Sequence, residues 1–451
     1  MSASIPEVKR FGRHMPGGSS QLHADNRSDA PTADVAVLFL TSFLPYPADH
    51  GGAMAREGFI RAIAGSARVS VLVLTSIRYD DELVRGAESY YHKFCESFEC
   101  RQFPSLSPNG SFVSKAWDYL TGQPRNGFWS REAEELFVHQ VKTTGCEVVW
   151  CDSVFNAKYL HRAQRMSCRT VLMTQNVESD LVRQAAARQR GLQRLKTRID
   201  AVDIGRLEKL GARYSDAVTA ITSADLRYYR KLKGTGASLL EYCYPARRDD
   251  LDPSKEERGA VCFVGSMQWQ PNIRAAFHLV RDIMPLVWKS RPDARCYIVG
   301  KNPSKEVLEL QTSNVIVTGE VPSLIGYYER AELVVAPLEE GGGIKVKVVE
   351  ALALGKAVVS TSIGAAGLDV DNGVQLSIAD DAPAFAAEMV RLLNDEAERR
   401  RMAVAARTFA SERLSPEHAE RQVRAILNEL GVLGPGGAPA SSSIETADQL
   451  V

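Results

Sequence analysis

The sequence predicts an α/β protein of two domains, each built on a parallel sheet with helices on both faces. Short apolar runs rich in β-branched residues alternate with helical stretches along most of the chain, which is typical of parallel sheets. The 451 residues are enough for two domains of about 200 residues each. Between two such series, residues 242–257 are rich in Pro, Asp, Arg and Lys, which indicates a linker.

The apolar runs define the strands that we expect in each series. The first series contains Asp34–Leu40, Val69–Leu74, Glu147–Trp150, Thr170–Met173 and Ala217–Ile221. The second contains Ala260–Val264, Cys296–Val299, Val315–Thr318, Leu333–Pro337 and Ala357–Ser360. Helices are expected from about Ala53 to Ala64 and, at the end, from the Ser415-Pro416 start signal to Gly431.

Composition excludes several classes of protein. Lys plus Arg equals Asp plus Glu, at 55 each, so no overall charge points to nucleic acid. The cysteines show no Cys-x-x-Cys pair, and buried, reduced thiols in a cytoplasmic protein are expected rather than a zinc site or disulfides. Residues 1–33 are polar and lack the apolar core of a signal peptide, so we expect a disordered leader, with a disordered tail at 433–451.

One stretch, EEGGGIKVKVVEALALGKAVVST, predicts a ligand site. Gly341, Gly342 and Gly343 follow a strand and lead into a helix whose free backbone N–H groups suit phosphate oxygens. Lys345 and Lys347 add positive charge there. Lys347 and Glu350 are three residues apart, so they share a helix face at a spacing of about 4.5 Å along the axis. This is the step from a nucleotide's phosphate to its ribose, and it indicates a nucleotide-sugar site.

The same pattern has a plainer interpretation. Glycine-rich turns between a strand and a helix occur in many α/β proteins that bind nothing there. Lys347 and Glu350 are also spaced as an ordinary surface ion pair. On the pattern alone, both interpretations stay open.

The stretch resembles the signature of the retaining GT-B glycosyltransferases of group 1, or family 4. In that family two glutamates seven residues apart flank a glycine turn, the first contacting the donor sugar and the second the ribose. Glu350 matches the second glutamate, whereas Gly342 stands where the first belongs. Glu339 and Glu340 lie too early to take that role. The form GGGIKVKVVEALALGKAVVST is similar to a branch found in bacterial exopolysaccharide and cell-surface sugar transferases.

The resemblance implies the GT-B fold, with two Rossmann-like domains facing across a cleft. It implies an acceptor-side domain at 34–245, a donor domain at 246–415 and a helix at 416–432 that crosses back to the first domain. It implies that Lys345, Lys347 and the amides near Gly342 to Ile344 hold the diphosphate and that Glu350 holds the ribose. The donor-binding set implied in full is Gly51, Gly52, Gly265, Val321, Gly341, Gly342, Gly343, Ile344, Lys345, Lys347 and Glu350.

The chemistry implied by the resemblance is retention at the anomeric carbon, with the leaving phosphate helping to deprotonate the acceptor. No general base is therefore assigned. No metal and no cofactor are expected, since the nucleotide-diphosphate sugar is a co-substrate. Asp369-Val370-Asp371, the Asp-x-Asp of the chain, is expected to be a surface turn rather than a cation site.

The acceptor side is less well defined by the sequence. TQNVES at 174–179 resembles an HNVES stretch of some of these transferases, with Gln175 in place of the histidine. Asn176 and Glu178 are candidates to line the acceptor side, although a turn followed by a helix cap explains them equally well. His50 is the histidine best placed at the cleft, but a loop histidine is more often merely exposed.

Residues 183–213 form a helical region with nine Arg or Lys against three Asp or Glu. Such a region docks on anionic lipid in some proteins, which suits a lipid-linked acceptor. A solvated helix face explains it as well and is the commoner case. We therefore expect a cytoplasmic protein, with peripheral contact to the inner face of the membrane as one alternative, and a glycan, lipid-linked or small-molecule acceptor.

Three functions follow from these observations. The first is a retaining glycosyltransferase for a bacterial surface or exported glycan. The second is a nucleotide-sugar epimerase of the same fold, which needs no acceptor. The third is a non-catalytic, glycosyltransferase-like partner subunit, suggested by the missing first glutamate. A dehydrogenase is disfavoured because the Gly-x-Gly-x-x-Gly fingerprint is absent.

Overall fold

The computed structural model describes residues 35–48, 51–103, 128–244 and 251–433. His50, the expected leader at 1–33 and the expected tail beyond residue 433 lie outside the described residues. The described part forms two sheets, and within each the paired strands run parallel.

The N-terminal domain is a seven-stranded parallel sheet in the order β3-β2-β1-β4-β5-β6-β7. Its strands are β1 Ala36–Thr41, β2 Arg68–Thr75, β3 Ser97–Gln102, β4 Val148–Asp152, β5 Arg169–Thr174, β6 Ala217–Ala220 and β7 Ala237–Leu239. Its helices are α1 Gly51–Ala64, α2 Asp81–Tyr91, α3 Arg131–Thr144, α4 Ala157–Gln164, α5 Glu178–Ala187, α6 Gly191–Arg213 and α7 Ser223–Lys233. The central strands β1 and β4 are wholly buried, as strands covered on both faces must be.

The C-terminal domain repeats the plan in six strands, in the order β10-β9-β8-β11-β12-β13. Its strands are β8 Ala260–Val264, β9 Arg295–Val299, β10 Val315–Gly319, β11 Leu333–Ala336, β12 Val358–Ser360 and β13 Ser377–Ile378. Its helices are α8 Gln270–His278, α9 Met284–Ser290, α10 Lys305–Leu308, α11 Ile325–Arg330, α12 Val346–Ala353, α13 Ala382–Asn394 and α14 Glu396–Arg413. In both sheets the strand order reverses beside the first strand, which leaves a crevice at the carboxyl ends.

Every strand expected from the sequence forms within one or two residues of its expected bounds, but three further strands were not expected. These are β3, β7 and β13, which lie at or near the edges of the sheets and are short or polar. The sequence of β3, SFECRQ, leaves its last two residues exposed. Edge strands need no continuous apolar run because one side faces solvent, so the apolar pattern does not mark them.

The basic region at 183–213 is not one continuous helix. Helix α5 ends at Ala187, and α6 begins at Gly191, whose φ of 59° lies in the left-handed region. A glycine takes this conformation at little cost, so it marks the turn. The three-residue connection makes α5 and α6 antiparallel neighbours, called here the helical hairpin.

A last helix, α15 at Pro416–Glu429, joins the two domains. Ser415 caps it by accepting a hydrogen bond from the His418 amide at 3.2 Å. The buried side chains of Val423, Ile426 and Leu427 belong to the same apolar cluster as Phe59 and Ile63 of α1. The helix that follows the C-terminal domain therefore packs on the N-terminal domain.

Candidate active site

The glycine turn lies at the carboxyl end of β11 and leads into α12. Gly341 and Gly343 have φ values of 126° and 64°, which side chains other than glycine rarely adopt. Helix α12 begins at Val346, and its residues Val348 and Leu352 are buried against the sheet. This packing fixes the helix axis, and the first two residues of the helix, Val346 and Lys347, line the crevice between the domains.

The crevice is a cavity of about 750 Å³ lined by both domains. Most of the donor-binding residues expected from the sequence line it, as does Asn176: Gly51, Gly52, Gly265, Val321, Gly342, Gly343, Ile344, Lys345, Lys347 and Glu350. Gly341 is not among the lining residues, and Glu178 lines a smaller adjoining cavity instead. The lining loops follow strands of both sheets at their carboxyl ends, where open α/β sheets bind ligands.

Lys347 is a half-buried lysine of this cavity, and its ammonium has no carboxylate partner among the described residues. Its ammonium donates to Asn272 Oδ1 and lies 4.5 Å from the centre of the Phe263 ring. Burial, with a smaller contribution from Lys345, lowers the pKa of Lys347 to about 7. A buried ammonium without an anion is costly, so the site is electrostatically suited to receive one.

Lys345 lines the same cavity, and its ammonium contacts the glycine turn. Its ammonium donates to the carbonyl oxygens of Gly341, Gly342 and Gly343 at 3.3, 3.0 and 2.6 Å. Burial lowers the pKa of Lys345 to about 8. Since an ammonium has three donors, Lys345 in this state holds the glycine turn together, and Lys347 is the cation with donors left to offer a ligand.

Glu350 lines the cavity one turn along α12 from Lys347. Its Oε1 accepts from the Tyr244 hydroxyl at 3.0 Å and its Oε2 from the Tyr328 hydroxyl at 2.8 Å. Burial raises the pKa of Tyr328 well above its ordinary value, so this hydroxyl stays a donor. The two tyrosine hydroxyls, one on each oxygen, orient the carboxylate in the cavity wall.

The two domains touch at the glycine turn, where the resemblance expects a glutamate at position 342. A Cβ added to Gly342 would lie 2.3 Å from Cδ2 of Leu181 on α5. A Cβ on Gly343 would lie 2.8 Å from Oδ1 of Asn176. In this arrangement of the domains Leu181 takes the space that a side chain at 342 would need.

Glu339 and Glu340 do not replace that glutamate. Glu339 is exposed, and Glu340 accepts from Arg188 at 2.6 Å and from Arg274 at 3.0 Å. Glu340 thereby links the helical hairpin of one domain to α8 of the other. Neither residue is among those that line the cavity.

A second cavity of about 270 Å³ adjoins the first on the N-terminal domain, and Gly52, Gln175 and Asn176 line both. Its floor is Asp152, which is fully buried and pairs with Arg56. Glu178 also lines it, and burial raises the pKa of this carboxyl. The cavity combines polar groups with apolar rings, which is the usual composition of a small-molecule pocket.

Several lining residues were not expected from the sequence. Trp269, Asn272, Lys301, Glu320 and Tyr242 line the main cavity. Lys301 directly follows a strand-end glycine, a signal that was visible in the sequence. The role of Asn272 was not visible, because it depends on contact with Lys347, 75 residues away.

Within the described residues, no three His, Cys, Asp or Glu side chains are grouped so that they could hold a metal ion. The same residues include no helix long and apolar enough to cross a membrane. All eight cysteines are free, and all but Cys100 are buried.

Comparison with known proteins relates the C-terminal domain to one family. Residues 258–395 match the family described as glycosyl transferases group 1. An uncharacterized 44.6 kDa protein in the cps region of Klebsiella pneumoniae is 31% identical over 139 residues. That match covers 29% of this chain and 36% of the Klebsiella protein, so it spans only about a third of the relative.

Solved structures extend the likeness to both domains. A glycosyltransferase from Rickettsia africae has a TM-score of 0.59 at 14% identity, over 88% of this chain and 99% of that one. Anabaena HepE in complex with UDP has a TM-score of 0.60 at 14% identity, over 87% of this chain and 100% of that one. Sucrose-phosphate synthase from Thermosynechococcus elongatus has a TM-score of 0.59 at 17% identity, over 88% and 99%.

At these identities the likeness establishes the fold, and the prediction of two Rossmann-like domains facing across a cleft is confirmed. The chain therefore has the GT-B fold of glycosyltransferases, and its C-terminal domain carries the sequence pattern of glycosyl transferases group 1.

Proposed function

We propose that this protein is a retaining glycosyltransferase that moves a sugar from a nucleotide-diphosphate sugar to an acceptor hydroxyl. The observation that carries the proposal is the buried ammonium of Lys347, which lines the cleft without a carboxylate partner among the described residues. Glu350 lines the same cleft one helical turn away. A cation and a hydrogen-bond acceptor at this spacing fit the pyrophosphate and ribose of one nucleotide.

The mechanism depends on stabilising the departing diphosphate. Negative charge grows on the leaving phosphate as the bond to the sugar breaks. The Lys347 ammonium and the N–H groups at the start of α12 are fixed in place before reaction, so they stabilise that charge without reorganising. Glu350, already oriented by two tyrosines, accepts hydrogen bonds from the ribose hydroxyls. The chemistry assigned to this chain needs no metal or cofactor.

The smaller cavity is proposed as the place of the acceptor. It shares a wall with the donor cleft, so a hydroxyl bound there lies next to the anomeric carbon of a bound donor. Asp152, Glu178 and Gln175 supply hydrogen-bond acceptors and a donor suited to sugar hydroxyls. The acceptor is a glycan, a lipid-linked sugar or a small molecule.

The wider role proposed is the synthesis of a bacterial surface or exported polysaccharide. Support comes from the relative in the cps region of Klebsiella pneumoniae and from the group 1 pattern of residues 258–395. Anabaena HepE, which has the same fold, was solved with UDP and with UDP-glucose. These proteins favour a nucleotide-sugar donor for this chain too.

The test begins with a thermal-shift screen of nucleotide sugars, since a ligand bound only to the folded state raises its stability. Transfer is then measured with the donor found. Lys347→Ala and Glu350→Ala should each lower turnover by about a hundredfold or more while the fold, followed by circular dichroism, is kept. Lys356→Ala is the control, because Lys356 is a buried lysine that pairs with Glu256 at 3.2 Å and lies outside the cleft lining. Near-normal turnover in both site variants would contradict the proposal.

One observation favours a second candidate, a non-catalytic partner subunit. The position of the family's first glutamate is Gly342, and Leu181 packs over it. If the purified chain binds a nucleotide sugar but neither hydrolyses nor transfers it with any acceptor tried, this candidate replaces the first. Conversion of a nucleotide sugar to its epimer without acceptor would identify an epimerase instead.

A further inference from the structure

The helical hairpin carries an apolar stripe on its outer surface. Leu192, Leu195 and Val202 of α6 are 85%, 57% and 54% exposed, and Leu192 is the most exposed large apolar side chain among the described residues. With the half-buried Ile199 they follow the spacing i, i+3, i+7 and i+10, so they line one face of the helix. The stripe points away from the sheet, since the opposite face of α6 packs inward with Ala201 and Leu207.

The exposed charge around this stripe is positive. Lys196 and Arg198 are exposed and lie to either side of it at the helical rotation of about 100° per residue. Arg190 and Arg194, also exposed, surround its N-terminal end.

The acidic residues of the region do not balance this charge at the surface. Asp203 and Glu208 are buried, and Glu208 accepts hydrogen bonds from Ser179 and Tyr228 inside the domain. Asp200 is half-buried and already interacts with another group of the protein. The net charge of the chain is zero, so this basic surface is a local feature.

The hairpin also lies at the edge of the donor cleft. Leu181 of α5 packs over Gly342, and Arg188, in the turn of the hairpin, pairs with Glu340 at 2.6 Å. A surface that binds the hairpin therefore comes close to the mouth of the cleft.

We propose that the outer face of α6 docks on a lipid bilayer that contains anionic lipids. Leucines that enter the headgroup region, flanked by arginine and lysine, are the composition of a helix that lies in a membrane interface. The charged ends of the basic side chains interact with anionic headgroups, while their aliphatic stems pack beside the leucines in the interface. The contact proposed is a peripheral one, made by side chains on one face of the helix.

The composition of this face argues against two other occupants. A second copy of the chain, packed symmetrically through this face, brings two sets of arginines together, which is unfavourable. A nucleic acid accounts for the arginines but gives the exposed leucines no partner. The docking does not depend on the donor chemistry, although it places the cleft where a lipid-linked acceptor lies.

The test is flotation of the full chain with vesicles of phosphatidylcholine alone and of phosphatidylcholine with phosphatidylglycerol. Binding is expected to the anionic vesicles, and it should weaken as salt is raised. The double variant Leu192→Ser with Leu195→Ser should bind these vesicles about tenfold more weakly or worse, because the apolar anchor is lost. Val404→Ser on α14 is the matched control: Val404 is 68% exposed but lies outside the hairpin, so binding should be unchanged.

Each other outcome overturns the proposal. Equal binding by the double variant and the parent would mean that the outer face of α6 is not the docking surface, and no binding to anionic vesicles removes the membrane as partner. A parent dimer in light scattering that the double variant loses points to a second copy of the chain. Binding of a single-stranded oligonucleotide that is tighter than binding of vesicles points to nucleic acid. Transfer to a water-soluble acceptor should be the same in parent and double variant, which separates this test from that of the proposed function.

Discussion

Lys347 is the residue on which the proposed donor site depends, and its surroundings predict a pH dependence of donor binding. Because the ammonium is buried, the pKa of Lys347 in the free protein lies at about 7 rather than at 10.5. A bound pyrophosphate stabilises the charged form and therefore raises this pKa. Above a pH of about 7, binding must return a proton to Lys347, so donor affinity falls as pH rises.

The expected result is a loss of about tenfold in affinity for the nucleoside diphosphate per pH unit above the pKa of the free lysine, until the pKa of the bound state is reached. Titration calorimetry in buffers of different ionisation enthalpy should show proton uptake on binding in this range. Lys347→Met keeps an apolar side chain of similar length, and it should bind weakly with little dependence on pH. Lys356→Met should keep the parent's profile. A parent affinity that stays constant through this range would contradict the assignment.

At the scale of elements, the glycine turn is both the start of α12 and a contact between domains. Gly343 and Gly373 both have positive φ, 64° and 79°. A Cβ on Gly343 would meet Asn176 of the other domain at 2.8 Å, whereas a Cβ on Gly373 would meet nothing within 4 Å. The pair therefore separates backbone strain from domain contact.

Gly343→Ala and Gly373→Ala should each lower the free energy of unfolding by about 1–2 kcal/mol, because alanine is strained in the left-handed region. Only Gly343→Ala should also weaken donor use, raising KM or lowering kcat by about tenfold to a hundredfold, since the turn must move away from Asn176. Denaturant unfolding and donor kinetics on both variants measure the two effects. Equal kinetics in the two variants would mean that the domain contact is irrelevant to the site.

The elements were largely predictable from the sequence, and the site only in part. Buried parallel strands such as Ala260–Val264 are recognisable in the sequence as apolar runs, and the turn at 341–343 is recognisable by its glycines. Lys345 and Lys347 could not be told apart, because their roles depend on where each side chain points. The Lys345 side chain reaches back to the turn carbonyls, whereas the Lys347 side chain reaches Asn272. Only tertiary packing decides these two directions.

At the scale of the whole molecule, the contacts between the domains could not be predicted. Leu181 over Gly342 and the pairing of Arg188 with Glu340 join residues more than 150 positions apart. Neither pair has a local signature. The hydrogen bonds of Glu241 with Arg413 at 2.6 Å and with His418 at 2.8 Å likewise tie the end of the first domain to α14 and α15. The resemblance predicted two facing domains, whereas the contacts between the domains depend on side-chain packing that the sequence does not reveal.

The helix α15 follows the C-terminal domain in sequence but stabilises the N-terminal domain. Leu427 of α15 and Leu392 of α13 are both fully buried. Leu427 belongs to an apolar cluster that spans both domains, and its helix packs on α1, whereas Leu392 belongs to a cluster within the C-terminal domain. Each change to alanine should cost about 2–5 kcal/mol of local stability. Hydrogen exchange should reveal where: Leu427→Ala should speed exchange in α1, and Leu392→Ala should speed it in β11 and β12 while leaving α1 protected. Leu427 lies nearly 370 positions after Phe59 of α1 in the sequence. Faster exchange in α1 of the Leu427 variant would therefore measure how strongly α15 stabilises the N-terminal domain. Unchanged protection of α1 in that variant would mean that α15 rests on the first domain without stabilising it.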